Sequence, residues 1–443
     1  MRTDGLACVL GAARALAVAA VAATACRGDR PRKPVAPAGD ARPVAVAPAP
    51  ATPVREVAAS TGTVGDLGRR PDREPPADEH SHDHAVDCPI DDPLDPDKAL
   101  DEAAARYDTG EWEVALACTE VAVDLIPQSV EAHHLHAAAL AALGRFGEAQ
   151  TAFAMAIALD PDDPETLAAA ADFHINAVTP KRRDSTLLGL AYARRGSDKA
   201  STRRRRDRDL RARLALLEGQ ALNDLGRADE ALPRIDASLA LAPRSLAARY
   251  ERGVSLFNLC RFDAAYTDLA AVLERDPDDA YAHYHIGLIY ERKGRPKAAA
   301  EHLARARALA PADFPPPVDV SPDAFRAEVD AAVAELPPDV RAVLGDVAVE
   351  VEDLPALDDL TAVDPPFSPT ILGLFRGYPL GVTPPPDAGE PPPARAIVLY
   401  RKNLARAVRT REELDEQIRR TLLHEIGHLR GLDEDQLRRR GLE

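Results

Sequence analysis

One short pattern recurs along the middle of the chain and constrains its fold more than any other feature. Gly110, Gly144, Gly226 and Gly294 are followed five residues later by Ala115, Ala149, Ala231 and Ala299, and seventeen residues later by Pro127, Pro161, Pro243 and Pro311. Cys260, Ala265 and Pro277 fit the same frame with Cys in place of Gly. The intervals 110 to 144, 226 to 260 and 260 to 294 are each 34 residues. Each position has a physical reason. A small residue suits a tight turn, Ala suits a place where two helices touch, and Pro closes a unit after its second helix. Such a unit cannot bury its apolar face alone, so neighbours must stack into an array with one continuous core. The interval from Gly144 to Gly226 is 82 residues, not a multiple of 34. The reading there is an irregular repeat with an insertion around 179–208, which contains the run Arg203, Arg204, Arg205 and Arg206.

This frame resembles the tetratricopeptide repeat, which implies an all-α solenoid, here over 95–313. The resemblance further implies a concave face that binds a protein or peptide partner and carries no chemistry of its own. The alternative role is a rigid spacer. Histidines on the repeat helices (His133, His134, His136, His283 and His285) are expected to be packed or surface residues rather than ligands. The arginine run is followed at once by Asp207 and then Asp209. With a net charge of −17 over the whole chain, it reads as a solvated loop, and no nucleic-acid partner is expected.

The chemistry lies near the C-terminus, in His424-Glu425-Ile426-Gly427-His428. Residues four apart on a helix share a face, so two imidazoles in this register can bind one Zn2+. The Glu after the first His then reaches a metal-bound water whose pKa zinc has lowered to about 7. The context is helical. Thr410 and Glu413 have capping-box spacing, and Leu414, Ile418, Leu422, Ile426 and Leu429 form an apolar stripe. His424 and His428 fall opposite that stripe, facing an expected cleft. Gly431 suits the left-handed residue that ends a helix and reverses the chain. A catalytic zinc needs a third protein ligand, and no further His is at hand. A carboxylate among Asp433, Glu434 and Asp435 must serve, with Glu434 favoured because it lies ten residues after His424.

Further stretches precede this helix in order: Leu336-Pro337-Pro338-Asp339, then 347–353, then 372–380, then Ile397-Val398-Leu399-Tyr400-Arg401. Together they resemble the minimal-zincin metallopeptidase family over about the last quarter of the chain. The resemblance implies a small α+β domain at 318–443. It also implies His424, His428 and Glu434 as ligands of one Zn2+ per chain, Glu425 as general base, and a peptide substrate. From the residues alone, Ser321 and Pro322 start a helix that Pro337-Pro338 stops, and 347–351 alternates like a half-buried strand. Ala396 to Tyr400 reads as a strand covered on both faces. The segment 394–401 is the candidate to take substrate as an added strand. Tyr400 is a candidate oxyanion donor, with a buried structural role as the alternative.

Residues 1–25 contain a short apolar run and end in Ala23-Thr24-Ala25, directly before Cys26. This resembles a bacterial lipoprotein signal, which implies lipidation at Cys26, export, and a membrane anchor made by lipid rather than by a spanning helix. Residues 26–94 are rich in Pro, Ala and charge and read as a disordered tether, in which His80, His82 and His84 have no assigned role. Beyond Cys8 and Cys26 only Cys88, Cys118 and Cys260 remain, so no disulfide framework is expected, and a Cys88–Cys118 bridge stays open. The combined expectation is a tethered, multidomain zinc metallopeptidase with a docking solenoid. The alternative is a non-catalytic scaffold lipoprotein whose zincin-like module is degenerate or keeps zinc for structure.

Overall fold

A computed structural model describes residues 86–201, 208–382 and 394–442. The expected signal peptide, Cys26, His80, His82, His84, most of the tether, the arginine run and the Pro-rich stretch 383–393 lie outside the described residues. Among the described residues no helix is long and apolar enough to cross a membrane.

The repeats form helix pairs in sequence order. They are α1 (Pro96–Thr109) with α2 (Trp112–Leu125), α3 (Val130–Ala142) with α4 (Phe146–Leu159), α5 (Pro164–Asp172) with α6 (Arg183–Ser201), α7 (Arg208–Asp224) with α8 (Ala228–Leu241), α9 (Leu246–Asn258) with α10 (Phe262–Leu273), and α11 (Ala280–Arg292) with α12 (Pro296–Leu309). The recurring small residue sits at each intra-pair turn in the left-handed region, with φ from 65° to 82° at Gly110, Gly144, Gly226 and Gly294. The framed alanines are buried, as close helix contact requires. Two residues after the framed prolines stand Ser129, Asp163, Ser245 and Asp279. Each caps the next helix by accepting a hydrogen bond from a backbone amide three residues on. The irregular interval is itself a helix pair. α5 runs on as a single π-helical turn, Phe173–Ala177, and most of the expected insertion is α6, packed between α5 and α7. A Cys88–Cys118 disulfide ties the segment before α1 to α2.

The C-terminal domain begins with α13 (Pro322–Ala334), capped by Ser321 and closed at Glu335, and α14 (Pro338–Leu344), which starts on the second of the two prolines that follow. There follow β1 (Ala348–Glu352), the short α15 (Leu357–Leu360), β2 (Gly373–Arg376), β3 (Ala396–Tyr400), α16 (Arg401–Ala407), α17 (Arg411–Leu429) and α18 (Glu434–Arg439). Sheet order is β1-β3-β2, with β3 parallel to β1 and antiparallel to β2. This corrects one expectation. Segment 394–401 holds the central strand, both of its edges are already paired, and it cannot accept substrate as a further strand. One sheet face packs Phe375, Ile397 and Leu399 against α13 and α17, where Phe325, Val329, Leu414, Ile418 and Leu422 complete the core. The other face carries Leu374, Val398 and Tyr400 against Leu360.

That second face also meets the solenoid, which explains the one departure from the repeat frame. Cys260 holds a left-handed φ of 58°, a conformation that costs a residue with a Cβ about 1–2 kcal/mol. Its side chain packs against the cluster of Leu360, Ile371, Leu374, Val398 and Tyr400, with Sγ 3.6 Å from the Phe367 carbonyl oxygen, contacts that Gly could not make. Nearby, the half-buried Arg292 guanidinium donates to the carbonyls of Pro355 (3.1 Å) and Pro369 (2.7 Å). Glu291 pairs with both Arg406 (2.7 Å) and Lys402 (3.2 Å). Repeat helices and the C-terminal domain therefore share a polar, interlocked junction.

Candidate metal centre

Helix α17 begins on Thr410, with both hydrogen bonds of the capping box present, and buries its whole apolar stripe. Four residues apart near its end, the rings of His424 and His428 lie 4.8 Å between centroids, and their Nε2 atoms are 3.0 Å apart. The chain reverses at Gly431 (φ 82°) and leads into α18. The reversal places Glu434 Oε1 3.3 Å from His428 Nε2 and 3.8 Å from His424 Nε2. These ligand atoms all lie within 4.8 Å of one another. The two other acids are used elsewhere. Asp433 is the N-cap of α18, accepting from the Gln436 amide at 2.7 Å, and Asp435 pairs with Arg438 on the surface.

The hydrogen bonds around the rings test whether a cation fits. His424 Nδ1 lies 2.5 Å from the Leu442 carbonyl, and His428 Nδ1 lies 3.0 Å from the Leu432 carbonyl. A carbonyl only accepts, so each Nδ1 carries a proton, which leaves each Nε2 as the atom that can offer a lone pair to a cation. Two lone pairs and a carboxylate then face one another in a nearly dry site. Glu434 Oε2 is buried without a partner. Protons alone can reconcile this cluster only by charging a buried imidazole, whereas one divalent cation satisfies all three acceptors. Two imidazoles and a carboxylate are also a zinc donor set, with carbonyls behind the rings fixing their tautomers. Were the rings charged instead, their hydrogen bonds and charge would hold the Glu434 carboxyl at about 2 against burial, which works to raise it.

Glu425 is fully buried, and neither of its carboxylate oxygens makes a full hydrogen bond, the Phe375 backbone amide being near but short of one. Burial and the nearby Glu434 charge push its pKa well up, opposed more weakly by the backbone amide of Phe375 on β2. Gly373 makes room for it. A Cβ there would stand 3.0 Å from Glu425 Oε1 and 2.8 Å from Thr421 Cγ2. We expect Gly373→Ala to displace the carboxylate while leaving the ligands in place. Turnover should fall by about a hundredfold, the scale on which ångström misplacement acts, at unchanged zinc content. An unchanged kcat would show that Gly373 does not position Glu425.

In one respect the site differs from expectation. The histidine face of α17 is covered, leaving His424 and His428 each 1 % exposed. Leu437 of α18 sits where a side chain at Gly427 would be, so α18 can lie flat on the helix. Tyr400 belongs to the opposite sheet face, fully buried with its hydroxyl unpartnered and its pKa pushed up by burial, which is the structural role. None of the repeat histidines joins a metal cluster among the described residues. His134 is half-buried, and its loss of hydration lowers its pKa to about 4, while the buried His133 bonds to the Pro127 carbonyl at 2.9 Å. Sequence reading did not find the Leu432 and Leu442 carbonyls, because backbone groups carry no residue code. Gly373 lies in the stretch 372–380, but its role depends on a neighbour fifty-two positions away and carries no local signal.

Comparison with known proteins agrees with this geometry. Residues 344–442 match the zincin-like metallopeptidase family. Residues 100–164, 216–266 and 258–314 match the tetratricopeptide repeat. A zincin-like domain implies zinc binding in general, and tetratricopeptide repeats point to protein partners. No curated protein matches the chain. Solved structures resembling it include the APC/C hetero-tetramer Cut9-Hcn1, at 19% identity and TM-score 0.43, covering 50% of this chain and 41% of that one. PilF of Pseudomonas aeruginosa is similar at 15% identity and TM-score 0.41, covering 49% of this chain and 93% of that one. A tetratricopeptide protein of Thermus thermophilus is similar at 19% identity and TM-score 0.35, covering 47% and 100%.

Proposed function

We propose that the chain is a zinc-dependent metallopeptidase with one Zn2+ per molecule, held by His424, His428 and Glu434. The observation that carries this reading is the convergence of three acceptor groups beside a buried carboxylate, Glu425, that has no structural partner. When bound, zinc supplies a Lewis acid that polarises the scissile carbonyl and acidifies the attacking water. Glu425 takes the proton from that water and returns it to the leaving amine, a role that suits a carboxyl whose pKa burial has raised. The Leu432 and Leu442 carbonyls keep both rings in the tautomer that offers Nε2. No described strand pairs with the outer edge of β2, and substrate extended along that edge would pass the Phe375 amide beside Glu425. The concave face of the repeats brings a protein or peptide partner to this domain.

We also propose export and lipid anchoring through Cys26. The Cys88–Cys118 disulfide supports it, because such bonds persist in oxidising compartments. A mature N-terminal mass starting at a diacylated Cys26 is the expected result; an intact Met1 in the mature protein would remove the anchor. The function itself is tested by incubating the zinc-loaded full chain with a mixed peptide library. Cleavage products that disappear on chelation are expected, and their absence across the library would oppose the reading. One observation favours a second reading, a non-catalytic scaffold with structural zinc: the site is almost closed to solvent.

A further inference from the structure

A half-open cavity of about 230 Å3 lies between the concave face of the solenoid and the C-terminal domain, apart from the metal centre. Two polar side chains in its wall are more than nine-tenths buried, and each keeps an acceptor atom unused. They are His285 on α11, 7 % exposed, and Asn403 on α16, 6 % exposed. His285 Nδ1–H donates to the Tyr281 carbonyl at 3.0 Å, the closer of its two neighbours, with the Tyr250 hydroxyl at 3.4 Å. Nε2 is therefore the lone-pair atom of the ring. Burial lowers the pKa of this imidazole, which keeps it neutral. Asn403 Nδ2 gives its two hydrogens to the carbonyls of Pro369 (3.1 Å) and Ile371 (2.7 Å). Carbonyls only accept, so the orientation of the amide is fixed and Oδ1 is left as an acceptor. Neither His285 Nε2 nor Asn403 Oδ1 bonds to a described residue, and neither is sealed from solvent as Arg406 Nη1 is.

The rest of the wall suits a cation. Tyr250 and Tyr284 lie perpendicular to the His285 ring, 5.8 and 5.6 Å away between centroids, and supply aromatic surface. The carboxylates of Glu251 and Asp279 are bonded within the protein, Glu251 by Gln220 and Asn223 and Asp279 by the Ala282 amide. Those donors are neutral, so the negative charge stays in the wall. The two cations that border the cavity, Lys181 and Arg406, each face a carboxylate of their own, Asp224 and Glu291. Asp224, Glu251 and Asp279 thus outnumber Lys181 and Arg406 among the lining residues. A dry cavity of about 150 Å3 takes up benzene, so this one has room for a planar group and part of an aliphatic stem. A guanidinium combines what the wall asks for: N–H donors with no acceptor, a plane that stacks on tyrosine, and a weakly hydrated positive charge. The cavity opens beside the concave face of repeats of a kind that points to protein partners. We propose that this junction binds the guanidinium of an arginine side chain carried on a partner peptide, with its N–H groups donated to His285 Nε2 and Asn403 Oδ1. The site goes beyond the metallopeptidase reading and does not rest on it, since no metal ligand and no catalytic group lines the cavity.

The test is calorimetric titration of the full chain with N-acetylargininamide, N-acetylcitrullinamide, N-acetyllysinamide and free arginine, all in the Glu425→Gln background to prevent cleavage. The blocked arginine should bind. The citrulline form has nearly the same shape but is uncharged and carries an oxygen where an N–H donor stood. It should bind at least about tenfold more weakly, the scale of one lost charge-assisted hydrogen bond, and the lysine form should also be weaker. His285→Phe keeps a ring in place without its acceptor and should weaken the arginine form by about tenfold. The ligand series reads the unaltered cavity, so the outcome does not depend on that variant folding. Absence of binding at millimolar N-acetylargininamide would overturn the proposal, as would equal affinity for its citrulline or lysine form. Tighter binding of free arginine than of the blocked form would overturn the peptide as its source. Binding that His424→Ala abolishes while His285→Phe leaves it intact would also overturn the site, since that places the cation in the metal centre. Every readout is binding rather than turnover, so failure of the peptidase reading leaves these outcomes unchanged.

Discussion

Glu425→Gln is expected to lower peptide hydrolysis by about 10²–10⁴-fold, the usual contribution of a positioned general base, while zinc content stays near one per chain. The amide has nearly the volume of the carboxylate it replaces, so the space beside Gly373 remains filled. It cannot accept the proton of the attacking water. The site even favours a neutral group there, because Glu425 is fully buried beside the Glu434 charge with no hydrogen-bond partner for either oxygen. The variant should therefore be at least as stable as the parent, since it puts a permanently neutral group where burial and Glu434 disfavour the charged form. A less active but more stable protein is the pattern of a residue retained for chemistry. Unchanged activity with zinc bound would sink the mechanism, and loss of zinc would mean that Glu425 acts as a ligand.

Chelation is expected to abolish activity reversibly without unfolding the C-terminal domain. Most of its core lies away from the donor set: Phe325, Val329, Phe375, Ile397, Leu399, Leu414 and Ile418 pack around the sheet and the first turns of α17, and only Ile426 and Leu429 carry the core to the turns that hold the ligands. The ligands sit on the last turns and on α18, at the end of that helix. Zinc should therefore stabilise only by mass action, about 4 kcal/mol when free metal exceeds Kd a thousandfold. Thermal melting of metal-free protein should show a lower but still cooperative transition, with helical circular dichroism intact at 25 °C. Collapse of the domain on chelation would favour the structural-zinc scaffold, the reading that the closed site supports.

Most of the site's framework was legible because it is local. The capping box at Thr410, the stripe from Leu414 to Leu429 and the turn at Gly431 each follow from a few neighbouring residues. The third ligand was narrowed to three adjacent acids. Choosing among them depends on which acid caps α18, and that is settled only once the helix exists. The repeats were readable for the same reason, down to the left-handed turn residue. The irregular pair was not, because a π-turn after α5 and a nineteen-residue α6 break the period on which the reading relied. Strand order was also beyond the sequence. An apolar run such as Ala396–Tyr400 reports burial on both faces but not which strands flank it. The junction was least visible of all. Cys260 looked like a lapse in the frame, yet its side chain is part of the contact with Phe367.

The most direct test is metal analysis of the full chain, purified without a metal-binding tag, beside His424→Ala, Glu434→Ala and Asp435→Ala. The account predicts one tightly held zinc in the parent and in Asp435→Ala, and its loss in both ligand variants. A folded parent that takes up no zinc, or Glu434→Ala retaining it as firmly as the parent, would contradict the assignment of the centre.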